Sequence, residues 1–306
     1  MASSHPQYML PEPRLNQAYV DVSALEAGII HLPLQLFIKG ASPSDVSVCP
    51  SLAFFICHIP SGNSVVFDLG LRRDVASYPT VVQEHIAKWM PVTVPQSVDE
   101  SLAKGGINPK DVQRVILSHL HFDHIGDTTQ FSNARFTVGE GGRELLQTQA
   151  AFPTNATSDI LESTVPLDRT DFLDDSKFNA SIGPFPRAHD YFGDGSLYLI
   201  DAIGHLKGHV NVLARTSATG SWIYLGGDTA HDVRLLTGEK EVAFMVDPSG
   251  RMLCAHANKE DAVEHIQRVG SLLKVPKVHV LLAHDWEWYE ANKGGSAFLP
   301  GTILPL

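Results

Sequence analysis

Short segments of apolar residues, or of alternating apolar and polar residues, occupy the first quarter of the chain. They are typical of β-strands, and the Pro-Ser-Gly-Asn sequence at residues 60–63 predicts a hairpin turn between two of them. We expect four strands in one sheet, at residues 18–22, 28–37, 51–59 and 64–68. Residues 1–17 are rich in proline and polar side chains and are expected to form a loosely held arm.

Helical periodicity appears at residues 80–90, 97–104, 141–148 and 259–273. In the second of these segments, Ser97 and Glu100 have the spacing of a capping box, and two glycines follow Lys104. Further strands are predicted at residues 112–117, 134–138, 196–202, 210–216, 222–226 and 278–283. Strands followed by a helix therefore occur twice, before and after residues 151–195, which is typical of an α/β fold.

Two long segments lack a clear period. Residues 151–195 are rich in Asp, Pro and Phe, and residues 231–258 are mixed in character. Irregular stretches of this length inside a compact domain are usually functional, so we expect both to form lid segments. Residues 18–306 are expected to form a single domain.

Composition excludes several classes of function. The 306 residues are 43% hydrophobic and 19% charged, which is enough for a large core. A net charge of −11 without a basic run argues against nucleic acid as a partner. We find neither an apolar stretch of the ~18 residues that a membrane span needs nor a signal-peptide pattern, so no membrane partner is expected. Three cysteines do not form a disulfide framework, and a reducing compartment, the cytoplasm, is predicted.

The strongest candidate site is the sequence His119-Leu-His121-Phe-Asp123-His124, which directly follows a predicted strand. On an extended segment His119 and His121 point to the same side. If the chain then turns into a helix, Asp123 and His124 project from its first turn. Imidazole and carboxylate groups suit zinc, so these four side chains predict a metal site wide enough for two ions.

Three more segments place ligand-type residues next to predicted strands. They carry His205 and His209, then Asp228, then His284. In α/β folds the carboxyl ends of strands are where sites gather, so we expect these residues to meet the first cluster.

Taken together, the segments HLHFDH, GHLKGH, GGDT and AHDW, in this order, resemble the metallo-β-lactamase superfamily. The nearest branch is that of di-zinc hydrolases similar to N-acyl-homoserine lactonases. The resemblance covers roughly residues 18–290 and implies an αββα sandwich, with two central mixed sheets flanked by helices. It also implies a cofactor of two zinc ions, with manganese, cobalt or iron as other ions that would suit the ligands.

Carried over by position, the resemblance implies a ligand set for each ion. One ion would be held by His119, His121 and His209. The other would be held by Asp123, His124 and His284, with Asp228 bridging the two.

Two features depart from the homoserine lactonases. Those enzymes carry a tyrosine three positions after the bridging aspartate, where this chain has His231. An imidazole could still donate to the substrate carbonyl or leaving group, so His231 is predicted to be catalytic and to bind substrate. The gaps from Asp123 to His209 and from Asp228 to His284 are also longer than in compact members, which implies additional lid material.

The ligand set implies hydrolysis without a serine or cysteine nucleophile. A hydroxide bridging the two ions would attack a carbonyl group, since zinc lowers the pKa of bound water to about 7. Asp123 could orient this hydroxide, and Asp228 would bridge the ions. Asp68 and His205 are expected to support ligands rather than bind metal, and Trp286 is a candidate wall of the substrate pocket.

The leading hypothesis is a lactonase acting on a small-molecule cyclic ester, with a homodimer as the expected assembly. Lactam or cyclic-carbamate hydrolysis at the same site is the near alternative, followed by thioester hydrolysis as in glyoxalase II. An iron-dependent oxygenase or redox enzyme represents a different class. A non-enzymatic binding module is disfavoured, because all seven ligand positions are filled.

Overall fold

The structure, a computed structural model, describes residues 8–147, 149–246 and 252–306. The strands are β1 (Val20–Leu25), β2 (Ile29–Pro33), β3 (Val46–Pro50), β4 (Ala53–His58), β5 (Ser64–Phe67), β6 (Val92–Thr93), β7 (Arg114–Ile116), β8 (Arg135–Gly139), β9 (Thr170–Leu173), β10 (Ala180–Ile182), β11 (Phe185–Asp190), β12 (Leu197–Asp201), β13 (Val210–Arg215), β14 (Trp222–Leu225), β15 (Met245–Val246), β16 (Met252–Leu253) and β17 (Val278–Leu281). The α-helices are α1 (Thr80–Lys88), α2 (Val98–Lys104), α3 (Phe122–Ile125), α4 (Gly141–Gln147), α5 (Val233–Leu236), α6 (Lys259–Leu272) and α7 (Trp286–Asn292).

Two six-stranded sheets pack face to face. Their strand orders are β1-β4-β5-β7-β8-β9 and β10-β11-β12-β13-β14-β17. Both sheets are mixed: β1 and β4 pair antiparallel, whereas β5 and β7, like β14 and β17, pair parallel. Buried side chains from both sheets, such as Phe54 and Phe67 from the first and Leu199 and Val212 from the second, share one core.

Helices cover the outer faces of the two sheets. Val98 and Leu102 of α2 pack on the first sheet, and Ile266 and Val269 of α6 pack on the second. The layers therefore follow the order helix, sheet, sheet, helix. Helix α2 has the predicted capping box between Ser97 and Glu100. Among the described residues, none of the helices has the length and apolar character needed to cross a bilayer.

The early strands do not all lie in one sheet, contrary to the sequence-based expectation. Strand β2 pairs with β3 and β6 in a separate three-stranded sheet. It ends at Pro33, and a 3-10 turn occupies Leu34–Leu36, so the predicted strand at residues 28–37 is too long. Strand β3 was not predicted; Val46 and Val48 on its outer face are exposed, so no half-buried alternation marks it.

Residues 151–195 are less irregular than expected. Strand β9 forms the edge of the first sheet, and β10 and β11 open the second. Phe178 and Phe185 are buried in the core rather than available to a lid. The sequence pattern predicts no strands in this segment, because these strands are short and interrupted by turns, so their period is weak. A lid role for the remaining residues of this segment stays a prediction.

Residues 8–17 are held more firmly than a loose arm would be. Leu10 is buried, the buried Arg215 donates from Nη2 to the Pro11 carbonyl at 2.8 Å, and Gln17 donates to the Asp194 carbonyl at 3.0 Å. Residues 1–7 of the predicted arm, Thr148 of the predicted helix and residues 247–251 of the second lid segment lie outside the described residues.

The candidate site residues lie just beyond the ends of strands. Asp68 follows β5, His119 follows β7, Asp228 follows β14 and His284 follows β17. His209 immediately precedes the antiparallel strand β13, so it reaches the same edge. The predicted gathering of ligand-type residues at one edge of the sheets is therefore present.

Candidate metal centre

Four ligand-type side chains follow β7: His119, His121, Asp123 and His124. The backbone stays extended at His121, and α3 begins at the next residue, as the motif predicts. Asp123 and His124 therefore lie buried in the first turn of α3. Gly126 follows the helix with φ of +46°, and a Cβ there would lie only 2.4 Å from the Leu69 carbonyl oxygen. Glycine thus allows α3 to approach the segment after β5.

A first group of ligand-type atoms comprises His119, His121, His205 and Asp228, all within 4.8 Å of one another. His121 Nδ1 lies 2.9 Å from His119 Nε2 and 3.0 Å from His205 Nε2. Asp228 Oδ2 lies 3.3 Å from His205 Nε2 and 3.8 Å from His119 Nε2. Ligands about 2.0–2.1 Å from a tetrahedral zinc ion are separated by about 3.3 Å, so this spacing suits such an ion.

A second group comprises Asp123, His124 and His284. His284 Nε2 lies 3.5 Å from Asp123 Oδ2, and His124 Nε2 lies 3.9 Å from the same oxygen. Asp228 Oδ1 lies 3.1 Å from His124 Nε2 and 3.3 Å from His284 Nε2. One oxygen of Asp228 therefore faces each group, which is the arrangement a bridging carboxylate needs.

The turn that carries Asp228 is tightly enclosed. Thr229 N–H donates to the Gly226 carbonyl at 2.9 Å, and Ala283 N–H donates to the Gly227 carbonyl at 3.0 Å. Gly227 has φ of +48°, and a Cβ there would lie 2.9 Å from His209 Nε2. The turn can pass this close to the histidine because residue 227 has no side chain.

A carboxylate or a backbone carbonyl contacts Nδ1 of His124, of His209 and of His284. His124 Nδ1 lies 2.9 Å from Asp68 Oδ2, which is the contact expected of Asp68. His209 Nδ1 donates to the Ala202 carbonyl at 3.0 Å, and His284 Nδ1 donates to the Pro50 carbonyl at 2.8 Å. Such contacts fix the ring and its tautomer and leave Nε2 available to a metal ion.

His205 and His209 both lie at the first group. The resemblance implied His209 in the first group and a supporting role for His205. The structure places His205 Nε2 within that group. The His209 ring lies beside it, with its centroid 5.1 Å from that of His119, compared with 4.8 Å for His205, and its buried Nε2 has no hydrogen-bond partner among the described residues. The ligand role of His209 stays a prediction. The two histidines lie on one connection between β12 and β13, so both imidazoles come close to the cluster.

His231 lies beside Asp228, and its catalytic and substrate-binding roles stay predictions. Its Nε2 is 3.1 Å from Asp228 Oδ2, and its buried Nδ1 has no hydrogen-bond partner among the described residues. The Phe37 ring packs on it, with centroids 4.2 Å apart.

Sequence reasoning missed His256, which extends the cluster. It is buried, its Nδ1 lies 3.2 Å from His205 Nδ1, and its ring centroid is 5.5 Å from that of His231. It comes from the segment predicted as a second lid, between β16 and α6. The high number of histidines, 15 in the chain, is the signal that could have drawn attention to it.

Trp286 begins α7 directly after the turn with His284, and its side chain is 45% exposed. Its role in substrate binding stays a prediction.

Burial opposes the charged forms of His119, His124 and Asp228, and neighbouring groups either reinforce or overcome it. Burial and the imidazoles of His124, His121 and His205 hold the pKa of His119 well below its usual value. Burial also disfavours charged His124, but Asp228, Asp123 and Asp68 hold its pKa well above the usual value. Burial raises the pKa of Asp228, but His124, His231 and His284 together bring it well below the usual range.

The residues present fit a pair of divalent cations. Asp228 Oδ1 lies within 3.1–3.3 Å of His124 Nε2 and His284 Nε2 but makes no aligned hydrogen bond with either. The buried ligand-type atoms without an aligned hydrogen bond among the described residues are His124 Nε2, His209 Nε2, His284 Nε2 and Asp228 Oδ1. Leaving a buried polar atom unsatisfied costs about 1–3 kcal/mol, so four such atoms at one place are unfavourable without a common partner. The donor set of imidazoles and carboxylates is one that zinc prefers.

The chain matches a known family model. The model described as the metallo-beta-lactamase superfamily matches residues 46–288. Among solved structures, an AiiA mutant of B. thuringiensis with N-decanoyl-L-homoserine bound at its active site superposes with a TM-score of 0.70. It is 16% identical and covers 93% of this chain and 99% of its own. The predicted αββα fold and the predicted family resemblance are confirmed.

Curated relatives share more sequence. The cytochrome P450 monooxygenase mpaDE′ of Penicillium brevicompactum is 30% identical over 307 residues, which is 93% of this chain and 35% of that protein. The gamma-lactamase FDB1 of Fusarium pseudograminearum is 34% identical over 239 residues, 74% of this chain and 56% of that protein. The chain thus spans about a third of the length of the first relative and just over half that of the second.

Proposed function

The chain belongs to the metallo-beta-lactamase superfamily, and from this membership we propose that it is a metal-dependent hydrolase that opens a cyclic ester. The observation that carries the proposal is the placement of Asp228. Its two carboxylate oxygens each face a separate group of buried ligand-type atoms, at 3.1–3.3 Å from the nearest imidazole nitrogen of each. Two such groups joined by one carboxylate are typical of centres that hold two ions.

We assign the ligands from the two groups. His119, His121, His205 and Asp228 would hold one ion, and Asp123, His124, His284 and Asp228 would hold the other. His209 is the alternative ligand to His205, because its unpartnered Nε2 lies beside the first group. Zinc is the proposed metal, since the ligands are imidazole nitrogens and carboxylate oxygens. Divalent cations held there would polarise a carbonyl oxygen and lower the pKa of water, which is the chemistry that hydrolysis requires.

The chain's own side chains would orient the reactants. Asp123 and Asp228 provide carboxylate oxygens on the inner side of the cluster, where each can accept a hydrogen bond from water. His231 is held by Asp228 through Nε2 and by the Phe37 ring, and it presents an unpartnered Nδ1. We propose that His231 contacts the substrate beside Asp228.

The substrate would be a small molecule held against one wall of the site. The rings of His256 and Phe37 lie against His231, and we propose that they form part of this wall. Trp286 in α7 is the second proposed contact of the substrate. The chain would act as a homodimer in the cytoplasm, and sizing chromatography and fractionation test these two proposals.

Hydrolysis of a cyclic amide is the second candidate. The observation in its favour is the 34% identity to the gamma-lactamase FDB1 over 239 residues, compared with 26% to the N-acyl homoserine lactonase AttM of Azorhizobium caulinodans over 236 residues. The same ligands and His231 would serve, with a nitrogen in place of the leaving oxygen.

The test is ring opening by zinc-loaded protein on parallel panels of lactones, γ-lactams, cyclic carbamates and thioesters. Proton release reports the ester and thioester arms, and ultraviolet absorbance reports the nitrogen rings. Turnover in the lactone arm supports the proposal. Turnover in the lactam arm without the lactone arm replaces it with the second candidate. Inactivity in every arm with zinc bound overturns both and directs attention to iron-loaded protein and oxygen consumption.

A further inference from the structure

Behind the metal centre, one buried amide joins two of the segments that carry proposed ligands. Asn211 lies in β13, two residues after His209, and is fully buried. Its Nδ2 donates to the Gly226 carbonyl at 2.7 Å. Its Oδ1 accepts a hydrogen bond from Thr229 Oγ1 at 2.8 Å. Gly226 and Thr229 are the two ends of the turn that contains Asp228.

The same amide oxygen has two further polar neighbours. Tyr224 donates its hydroxyl to Asn211 Oδ1 at 2.6 Å, and His265 Nε2 lies 3.0 Å from that oxygen. Tyr224 and His265 are buried, in β14 and α6. Asn211 therefore contacts Tyr224 and His265 on one side and the turn at residues 226–229 on the other. Its donor and acceptor both have partners, so the amide has one favoured orientation.

We propose that Asn211 is a positioning residue for the metal centre, which sets the place of Asp228 relative to the strand that follows His209. The inference rests on the proposed two-ion site. Asp228 Oδ1 must face one group and Oδ2 the other. The distances from Oδ1 to His124 Nε2, 3.1 Å, and from Oδ2 to His205 Nε2, 3.3 Å, leave little room for the turn to shift. Partners of metal ligands commonly change metal affinity by about 10–100-fold when they are removed.

The test compares zinc affinity across matched variants, measured by competition with a chromophoric chelator on the full chain. Asn211→Ala is expected to weaken zinc binding about 10–100-fold, and Thr229→Val, which removes one donor to the amide, about tenfold. Thr229→Ser keeps a hydroxyl at this position and is expected to bind zinc as the wild type does. The visible spectrum of the cobalt-loaded protein is expected to change in Asn211→Ala and Thr229→Val and to be retained in Thr229→Ser.

Ser23→Ala is the control for general destabilisation. Ser23 is also buried, and its hydroxyl donates to the Gly301 carbonyl at 2.6 Å, away from the centre. It is expected to lower the unfolding midpoint without changing zinc affinity. The proposal is overturned if Thr229→Val and folded Asn211→Ala bind zinc as the wild type does, or if Ser23→Ala weakens zinc binding equally.

This outcome is separate from that of the proposed function. Wild-type protein that binds zinc but opens no ring would refute the hydrolase, while the affinity series would still decide the role of Asn211. Wild-type protein that binds no zinc would overturn both.

Discussion

The two groups at the centre share Asp228 but differ in their other members. The first contains three imidazoles, and the second contains two imidazoles and the additional carboxylate of Asp123. Burial and neighbouring imidazoles lower the pKa of His119, whereas Asp228 and other acids overcome burial and raise the pKa of His124. The additional carboxylate of Asp123 therefore contributes to the raised pKa of His124, and among the described residues no such additional carboxylate faces His119. The predictions below separate the two groups, beginning with the largest expected effect.

Replacing the shared carboxylate should affect both groups. Asp228→Ala is expected to reduce hydrolysis by at least ~10³-fold, because the loss of metal-derived stabilisation of several kcal/mol corresponds to that factor. Zinc content, measured by mass spectrometry after desalting, should fall for both ions. Unchanged activity with full zinc content would refute the bridging assignment.

Replacing a ligand from one group should remove one ion. His119→Ala and His284→Ala are each expected to lower zinc content by about one ion per chain, because each residue contributes to a single group. The double variant should then lose both. If either single variant lost both ions, the two groups would not be independent sites.

His205 and His209 can be separated in the same way. His205→Ala is expected to lower zinc content in the first group, since His205 Nε2 lies 3.0 Å from His121 Nδ1. His209→Ala is expected to have the smaller effect. The opposite order, by the same zinc analysis, would show that His209 is the ligand, as the family resemblance implies.

Asp68 supports the second group through His124. Asp68→Asn is expected to weaken binding of one zinc ion by about 10–100-fold, because the amide is a poorer partner for His124 Nδ1. Asp190→Asn is the matched control, since its carboxylate accepts hydrogen bonds from Gly193 and Gly195 in a loop outside the centre. Chelator competition measures both, and equal effects would contradict the assignment.

His265 provides a buried imidazole outside both groups. Burial lowers its pKa to about 3, so the unfolded chain binds a proton below about pH 6.5 and the folded chain does not. His265 therefore contributes stability above pH 6.5 that is lost as the pH falls toward 3, at up to about 1.4 kcal/mol per pH unit.

The corresponding variant is His265→Gln. Between pH 7 and pH 5.5 the metal-free wild type is expected to lose about 1 kcal/mol more unfolding free energy than the variant does. Denaturant titrations at the two pH values measure this difference. Parallel pH dependence of the two proteins would show that His265 accepts its proton in the folded state.

Local patterns predicted much of the centre. His119 and His121 lie on an extended segment, and Asp123 and His124 lie in the helix that follows it. Neighbouring residues determine both elements, so the sequence predicts where these four side chains lie. The capping box of Ser97 and Glu100 is local for the same reason. By contrast, β3 and the strands at residues 170–190 are short and lack a strong period, and pairing with distant strands stabilises them.

The sequence by itself determined the ligand-rich segments, their order, the α/β layering and the family. Tertiary structure decided that His205 lies within the first group next to His209, that His256 joins the cluster, and that Asn211 spans the turn around Asp228. The physical reason is the range of the interactions. Side-chain period and helix capping depend on residues a few positions apart, whereas an imidazole's place in a buried cluster depends on how separate strands and connections pack.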